Sequence, residues 1–321
     1  MSSGFSFTSV LCYTRTMDSD EKPTVLAVVG PTASGKTDLA VTLAEAYNGE
    51  VISADSRQVY RGLDIGTAKV TQEEKRGIPH HLIDIVDINT IYTGQDFVRD
   101  ASQAIADITS RGKLPIIAGG TFFYLELLRG TMQAAPVPPN YQLRAELAEQ
   151  NTTELYTELK KRSPNRALRI DPQNRRRIIR ALEITAALGR VPQANTTAES
   201  PYEMFMIALS VEKESLRNRF QDRAAAWLKQ GFQTEVEGLL EQGISRQRLE
   251  EIGFEYTLML SYLDKEISKV EFTQRFVEKN WQYAKRQLTW LKRDVSIHWV
   301  DPLAPLEVTA LKTAIGAWLE R

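Results

Sequence analysis

The sequence predicts an α/β protein: a parallel sheet flanked by helices, carrying an inserted all-helical domain and a helical C-terminal part. Three observations predict it. Short apolar runs alternate with helical spacing from Thr24 to Thr121, as strands buried on both faces of a parallel sheet require. A glycine-rich stretch, Gly30-Pro31-Thr32-Ala33-Ser34-Gly35-Lys36-Thr37, separates the first apolar run from the first helical one. Two proline-rich breaks, Ala134–Pro139 and Gly189–Pro201, bracket a segment of helical spacing.

Each element follows from its pattern. Thr24–Val29 is β-branched and apolar and ends at a glycine, the mark of a buried strand. Leu39, Ala40, Leu43 and Ala46 give helical spacing from Thr37 to Tyr47. Glu50–Ala54 reads as a second strand that stops at Asp55, and His81–Val86 as a third. A helix across Asp96–Ser110 precedes the strand Leu114–Ala118, closed by Gly119 and Gly120. Leu143, Leu147, Leu155 and Leu159, then Ile178, Ile179, Leu182 and Ile184, place amphipathic helices between the proline breaks. Phe205–Leu209 resumes the sheet. Helices follow, with apolar stripes at Leu216, Phe220 and Trp227 and at Phe272, Phe276 and Tyr283; Val295–Val300 reads as a last strand. The expected domains are an N-terminal extension (1–22), a core (23–136), an inserted helical domain (137–200), and the rest of the core with C-terminal helices (201–321).

Composition excludes several classes. With 42% apolar and 25% charged residues among 321, the chain is neither disordered nor fibrous and can bury a core without staples. Cys12 is the only cysteine, and His80, His81 and His298 are the only histidines, so no disulfide scaffold or Cys/His metal cage is expected. No apolar run approaches the ~18–20 residues of a membrane span. Met1–Thr16 is Ser/Thr-rich and acid-free but holds a single basic residue, Arg15, and is read as a disordered extension rather than a targeting segment. A cytoplasmic monomer without membrane contact is expected.

Gly30–Thr37 fits G-x-x-x-x-G-K-[ST] between strand and helix, which makes the core P-loop NTPase-like. Gly30 and Gly35 let successive N–H groups turn toward an anion, Lys36 adds an ammonium, and the Thr37 hydroxyl can ligate Mg²⁺. A nucleotide hydrolase also needs a strand ending in a metal-associated Asp. Here the Leu114–Ala118 strand ends in Gly119-Gly120-Thr121, and Asp84 lies inside its expected strand. Asp55 stands just past the carboxyl end of a strand, the edge where open α/β sheets bind ligands. A carboxylate there can bind metal, act as a base, or cap the next turn.

Together with the P-loop, Asp55–Tyr60, Asp64–Lys69, Gly119–Thr121 and Ala284–Trp290 resemble the tRNA dimethylallyltransferase (isopentenyltransferase) family, in order from about Thr24 to the C-terminus. The resemblance implies transfer of a dimethylallyl group from dimethylallyl diphosphate to N6 of adenosine 37, beside the anticodon, in tRNAs reading codons that begin with U. It implies Mg²⁺ as cofactor, and tRNA (its anticodon stem-loop) and dimethylallyl diphosphate as partners. By resemblance, Thr32–Thr37 hold the departing diphosphate with Lys36 stabilising its charge, Asp55 is the general base, and Thr121 is a second contact to the reacting base. Ser56, Arg57 and Gln58 match positions that touch tRNA, as do Arg144, Arg176, Arg177, Ile178, Ile179 and Arg180. A helix N-cap is the other reading of Thr121.

Lys160–Arg180 holds nine basic residues against one acid in a chain of net charge −1, which suits the phosphates of an anticodon stem. Lys285, Arg286, Lys292 and Arg293 interleave with Trp281 and Trp290 in a second basic stretch, where core packing is the other reading of the tryptophans. One stretch departs from the family pattern. Where many relatives have Gly-Tyr and a basic residue, this chain reads Glu251-Ile252-Gly253-Phe254-Glu255-Tyr256, so Phe254 lacks a phenol hydroxyl and Glu255 reverses the charge. The competing readings are an adenylate isopentenyltransferase acting on free AMP, ADP or ATP, a P-loop nucleotide kinase, and an RNA-binding module. The insertion and its basic cluster favour tRNA.

Overall fold

The computed structural model describes residues 22–189 and 199–321. The chain runs through β1 (Thr24–Val29), α1 (Lys36–Tyr47), β2 (Gly49–Ser53), α2 (Gln72–Lys75), β3 (His80–His81), α3 (Gly94–Ser110), β4 (Leu114–Gly119) and α4 (Phe122–Leu128). Four helices follow: α5 (Tyr141–Ala148), α6 (Thr152–Arg162), α7 (Pro164–Ala167) and α8 (Arg175–Leu188). After them come β5 (Glu203–Leu209), α9 (Lys213–Gln230), α10 (Phe232–Glu241), α11 (Arg246–Ile252), α12 (Phe254–Leu263), α13 (Lys269–Leu291), β6 (His298–Val300) and α14 (Pro305–Leu319). The described chain separates into two compact units: residues up to Arg129 together with Ser200–Arg321, and Gly130–Glu199. Residues 1–21 of the expected N-terminal extension lie outside the described residues.

In the first unit the strands form one parallel sheet in the order β3-β2-β4-β1-β5-β6. Alternation along β1 sends Val25, Ala27 and Val29 to one face and Leu26 and Val28 to the other. The first face is covered by α3, α4 and the helices after β5, through Phe97, Ile105, Phe122, Phe232 and Phe276. The second is covered by α1 and α14, through Leu39, Leu43, Leu311 and Ile315. Burial on both faces is why these strands are apolar throughout, each large side chain contributing about 1.5–3 kcal/mol.

Two expected strands shrink. Over His81–Val86 only His81 joins the sheet, next to His80 in β3. Leu82 (φ 61°) and Asp84 (φ 57°) take left-handed conformations that turn the chain off the edge. Asp84 therefore stands in a loop, where its carboxylate meets Lys69 Nζ at 2.5 Å. Val295–Val300 pairs only from His298, because Asp294 Oδ1 accepts bonds from the Ser296 N–H (3.0 Å) and hydroxyl (2.5 Å) and makes a turn there.

The Gly130–Glu199 unit has its own small core of Leu147, Leu155, Leu159, Ile170, Ile178 and Leu182. Asn140, Asn151 and Asn174 cap α5, α6 and α8 by accepting backbone N–H bonds, which explains where each helix begins. Buried Glu183 collects the Arg144 guanidinium through two 2.9 Å bonds, the Asn140 N–H at 2.6 Å, and Arg180. Among the described residues no helix is long and apolar enough to cross a membrane.

Candidate active site

The P-loop opens at the end of the central strand β1. Gly30 (φ 156°), Ala33 (φ 61°) and Gly35 (φ 98°) supply the left-handed geometry that folds its backbone into a cradle at the N-terminus of α1. The Lys36 Nζ donates to the Pro31 carbonyl at 2.7 Å. Burial, reinforced by the charge of Arg223, lowers Lys36 to about 8 against the pull of Asp55. The buried Ser34 hydroxyl has no hydrogen-bond partner among the described residues. An unpartnered buried hydroxyl and a desolvated ammonium in one loop are groups that an anion could satisfy together. Thr37 is exposed in the first turn of α1. Among the described residues no cluster of His, Cys, Asp or Glu could hold a metal by itself. Mg²⁺ fits this donor set in its usual manner, with one protein oxygen beside phosphate and water.

Asp55 and Thr121 reach the cradle because β2, β4 and β1 are neighbours, with Ser53 level with Ala118 and Val29 level with Gly119. A side chain at Gly119 would strike the Ala54 carbonyl, so glycine is what lets the ends of β2 and β4 close together. The Asp55 Oδ1 accepts the N–H groups of Arg57 (2.8 Å) and Gln58 (3.3 Å), an Asx-type turn. Its Oδ2 receives no hydrogen bond among the described residues. The turn thus engages one oxygen of the carboxylate and not the other. Lys36, Arg57, Glu255, Tyr124 and Tyr283 all feel its charge. Burial and Asp55 together push Tyr283 up to about 12. Thr121 holds the N-cap position of α4 without making the cap bond; its hydroxyl accepts from the Ser56 N–H at 3.2 Å, tying the two loops together.

Sequence reasoning missed three side chains that build the cradle. Arg223 donates to the Thr32 hydroxyl at 3.0 Å and Arg219 to the Ala33 carbonyl at 3.0 Å, both from α9. Gln287 on α13 accepts the Thr32 N–H at 2.9 Å and donates to the Gly120 carbonyl at 2.9 Å, clamping the P-loop to the end of β4. The available signals were two arginines four residues apart beside the apolar stripe of α9, and a glutamine in the buried stripe of α13.

Other candidate residues divide by exposure. Gln58 is engaged internally, accepting the Ser53 hydroxyl at 3.0 Å and donating to the Ala68 carbonyl at 3.1 Å. In the stretch Glu251–Tyr256, the side chains of Ile252, Glu255 and Tyr256 are buried, so Glu251 and Phe254 carry its surface. The Tyr256 hydroxyl donates to Glu235, whose carboxylate also accepts the N–H groups of Asp64, Ile65 and Gly66. In the helical unit Arg176 and Arg177 are exposed, whereas Arg144 and Arg180 are bound by Glu183 and Arg175 by the Leu147 and Ala148 carbonyls. Ile178 is fully buried and Ile179 packs against the same core, so both support the helix. Trp290 stacks on Phe122, centroids 6.1 Å apart, and Trp281 lies between Lys213 and Lys285, so packing accounts for both.

A parallel sheet with a P-loop after its central strand β1, and a carboxylate in the loop after β2 whose charge reaches Lys36, defines a P-loop-like α/β protein. The family model described as IPP transferase matches residues 58–294, and the chain belongs to that family. It is 41% identical over 291 residues to a tRNA dimethylallyltransferase of Thermomicrobium roseum, covering 89% of this chain and 88% of the relative. It is 43% identical over 289 residues to tRNA dimethylallyltransferase 1 of Trichlorobacter lovleyi, covering 87% and 94%. Among solved structures it resembles the full-length tRNA isopentenylpyrophosphate transferase of Bacillus halodurans, with TM-score 0.70, 36% identity, and 93% and 97% of the two chains covered. It also resembles a eukaryotic dimethylallyltransferase acting on tRNA, with TM-score 0.74, 28% identity, and 91% and 77% covered.

Proposed function

We propose that this chain transfers the dimethylallyl group of dimethylallyl diphosphate to N6 of adenosine 37 in tRNAs reading codons that begin with U. The observation that carries the reading is the meeting of cradle and carboxylate at the ends of β1 and β2, the two strands that flank β4, in a chain of the IPP transferase family. The bond from the allylic carbon to the diphosphate oxygen breaks and the bond from that carbon to N6 forms. Negative charge grows on the leaving oxygens, where the backbone N–H groups of the loop and the Lys36 ammonium stabilise it. Arg219 and Arg223 hold the loop from behind. The Thr37 hydroxyl would hold Mg²⁺, which would supply further charge neutralisation when bound. The N6 lone pair is delocalised into the purine ring, so the amine needs a base. Asp55 takes its proton as the bond to carbon forms, and Thr121 holds the loop that carries it. The adenine must leave its stack to reach this site.

The test is mass analysis of nucleosides from unmodified tRNA incubated with the protein and labelled dimethylallyl diphosphate, with AMP as competing acceptor. Labelled dimethylallyladenosine in tRNA is the expected product; faster prenylation of AMP would overturn the assignment.

Two further outcomes follow from the geometry. Because the side chains of Arg176 and Arg177 are exposed and have no hydrogen-bond or ion-pair partner among the described residues, replacing both with Gln should weaken tRNA binding and reduce its log–log salt slope by about 1.4–1.8, at roughly 0.7–0.9 per phosphate contact. Affinity for dimethylallyl diphosphate should not change; an unchanged slope would place the stem elsewhere.

Lys36 sets a pH dependence. Its pKa is lowered, so its contribution to folding stability is present above the ordinary lysine value and lost as pH falls through about 8. A bound diphosphate reverses the shift by favouring the ammonium. Binding therefore takes up a proton above pH ~8, and affinity should fall by up to tenfold per pH unit there. Calorimetry at pH 8.5 in two buffers of different ionisation enthalpy measures the uptake, and equal heats would refute it.

A further inference from the structure

Glu255, the residue that reverses the charge expected at its position, has a partner. Its Oε2 accepts from Arg57 Nη1 at 2.5 Å, and both groups lie inside the protein with side chains 8% and 25% exposed. The surroundings are shaped around this pair. The Arg57 guanidinium sits 5.9 Å from the centre of the Phe254 ring. A Cβ on Gly253 would lie 2.5 Å from the guanidinium carbon, so a side chain there would push the guanidinium from its place. Burial opposes the charge of Arg57, yet the Glu255 and Asp55 carboxylates hold it above the usual guanidinium value, while burial pushes the Glu255 carboxyl up against the pull of Arg57. Guanidinium keeps its proton under all working conditions, so a compensating carboxylate is required.

Arg57 is also two residues from Asp55, and its backbone N–H already binds Asp55 Oδ1 at 2.8 Å. Without another anion, a desolvated guanidinium here would take the Asp55 carboxylate as its counter-ion. Its Oδ2 would then be paired rather than available to an incoming amine. A basic residue at 255 would repel Arg57 and drive it toward the same place. In this chain Glu255 and Arg57 therefore work as a pair.

We propose that Glu255 is a positioning residue that draws the Arg57 guanidinium off the Asp55 carboxylate and so keeps Asp55 free to act on the acceptor. The inference rests on Asp55 being the base. Glu255 touches no reacting atom; it acts through Arg57.

Four proteins test it: the unaltered chain, Glu255→Gln, Arg57→Met, and the double variant. The readouts are single-turnover prenylation at saturating tRNA and donor, tRNA affinity, and thermal midpoint. Glu255→Gln retains an acceptor for Arg57 but removes the charge, and should slow the chemical step by about tenfold, less than the roughly 10²–10⁴-fold lost when a general base is removed outright. Removing the guanidinium as well should recover most of that loss, giving a double variant faster than Glu255→Gln, whatever the thermal midpoints do. Glu255→Gln at full rate, or a double variant as slow as the single, overturns the proposal. Should Glu255→Gln not fold, the comparison passes to Arg57→Met, which leaves a buried carboxylate beside Asp55. The double variant must then fold and match or exceed its rate, and a slower double variant overturns the proposal equally. Asp55→Asn runs alongside: full rate there defeats the base assignment itself, whereas a slow Asp55→Asn with an unaffected Glu255→Gln defeats this inference alone.

Discussion

Asp55→Asn should lower the single-turnover rate of prenyl transfer by about 10²–10⁴-fold, the span expected for loss of a general base. Asparagine is the informative replacement because Oδ1 already accepts the Arg57 and Gln58 N–H groups. An amide oxygen can continue to do so, whereas alanine would release the turn after β2 and confuse structure with chemistry. With the turn intact, affinity for tRNA and for dimethylallyl diphosphate should change by less than the rate does. Rapid-quench measurement with both substrates saturating isolates the step. A rate within twofold of the unaltered protein would remove Asp55 from the mechanism and leave it as a turn residue.

The second large effect is expected at Lys36. Replacing it with Met keeps the length and apolar stem but removes the ammonium from a cradle where burial excludes water's competing solvation. Stabilisation of charge that develops in the transition state is commonly about 10²–10³-fold per donor. The same loss is expected here in the single-turnover rate, with tRNA affinity unaltered. This profile is the inverse of that expected for Arg176 and Arg177, whose loss should weaken tRNA binding and spare the diphosphate. If Lys36→Met weakens diphosphate binding without slowing the saturated step, the lysine contributes to ground-state binding only.

Much of this site was legible in the chain. The P-loop declared itself because its pattern records local requirements: left-handed backbone at Gly30 and Gly35, and a strand and a helix on either side. Asp55 was legible because a carboxylate just past an apolar strand sits at the ligand edge of an open sheet. The expected strand through Val86 failed because Leu82 and Asp84 adopt left-handed conformations that apolar periodicity does not register. The basic cluster was legible as composition, but not as function. Arg144, Arg175 and Arg180 are held inside their own unit by Glu183 and by helix-end carbonyls, and a count of charges cannot distinguish those from Arg176 and Arg177.

What the sequence determined by itself was local. It specified the cradle, the strand-and-helix order, the capped helices of the insertion, and the family resemblance, since each depends on residues close together along the chain. Tertiary structure alone decided which groups surround the P-loop and the loop after β2. Gln287 meets the Thr32 N–H across 255 residues, Arg223 meets the Thr32 hydroxyl across 191, and Glu255 meets Arg57 across 198. Those pairings arise from α9, α12 and α13 packing over one face of the sheet, and their polar residues are buried only once that packing exists. The meaning of Glu255 shows the reason most directly: as a letter it opposes the family's charge, and in the fold it is the counter-ion of an arginine brought to it by packing.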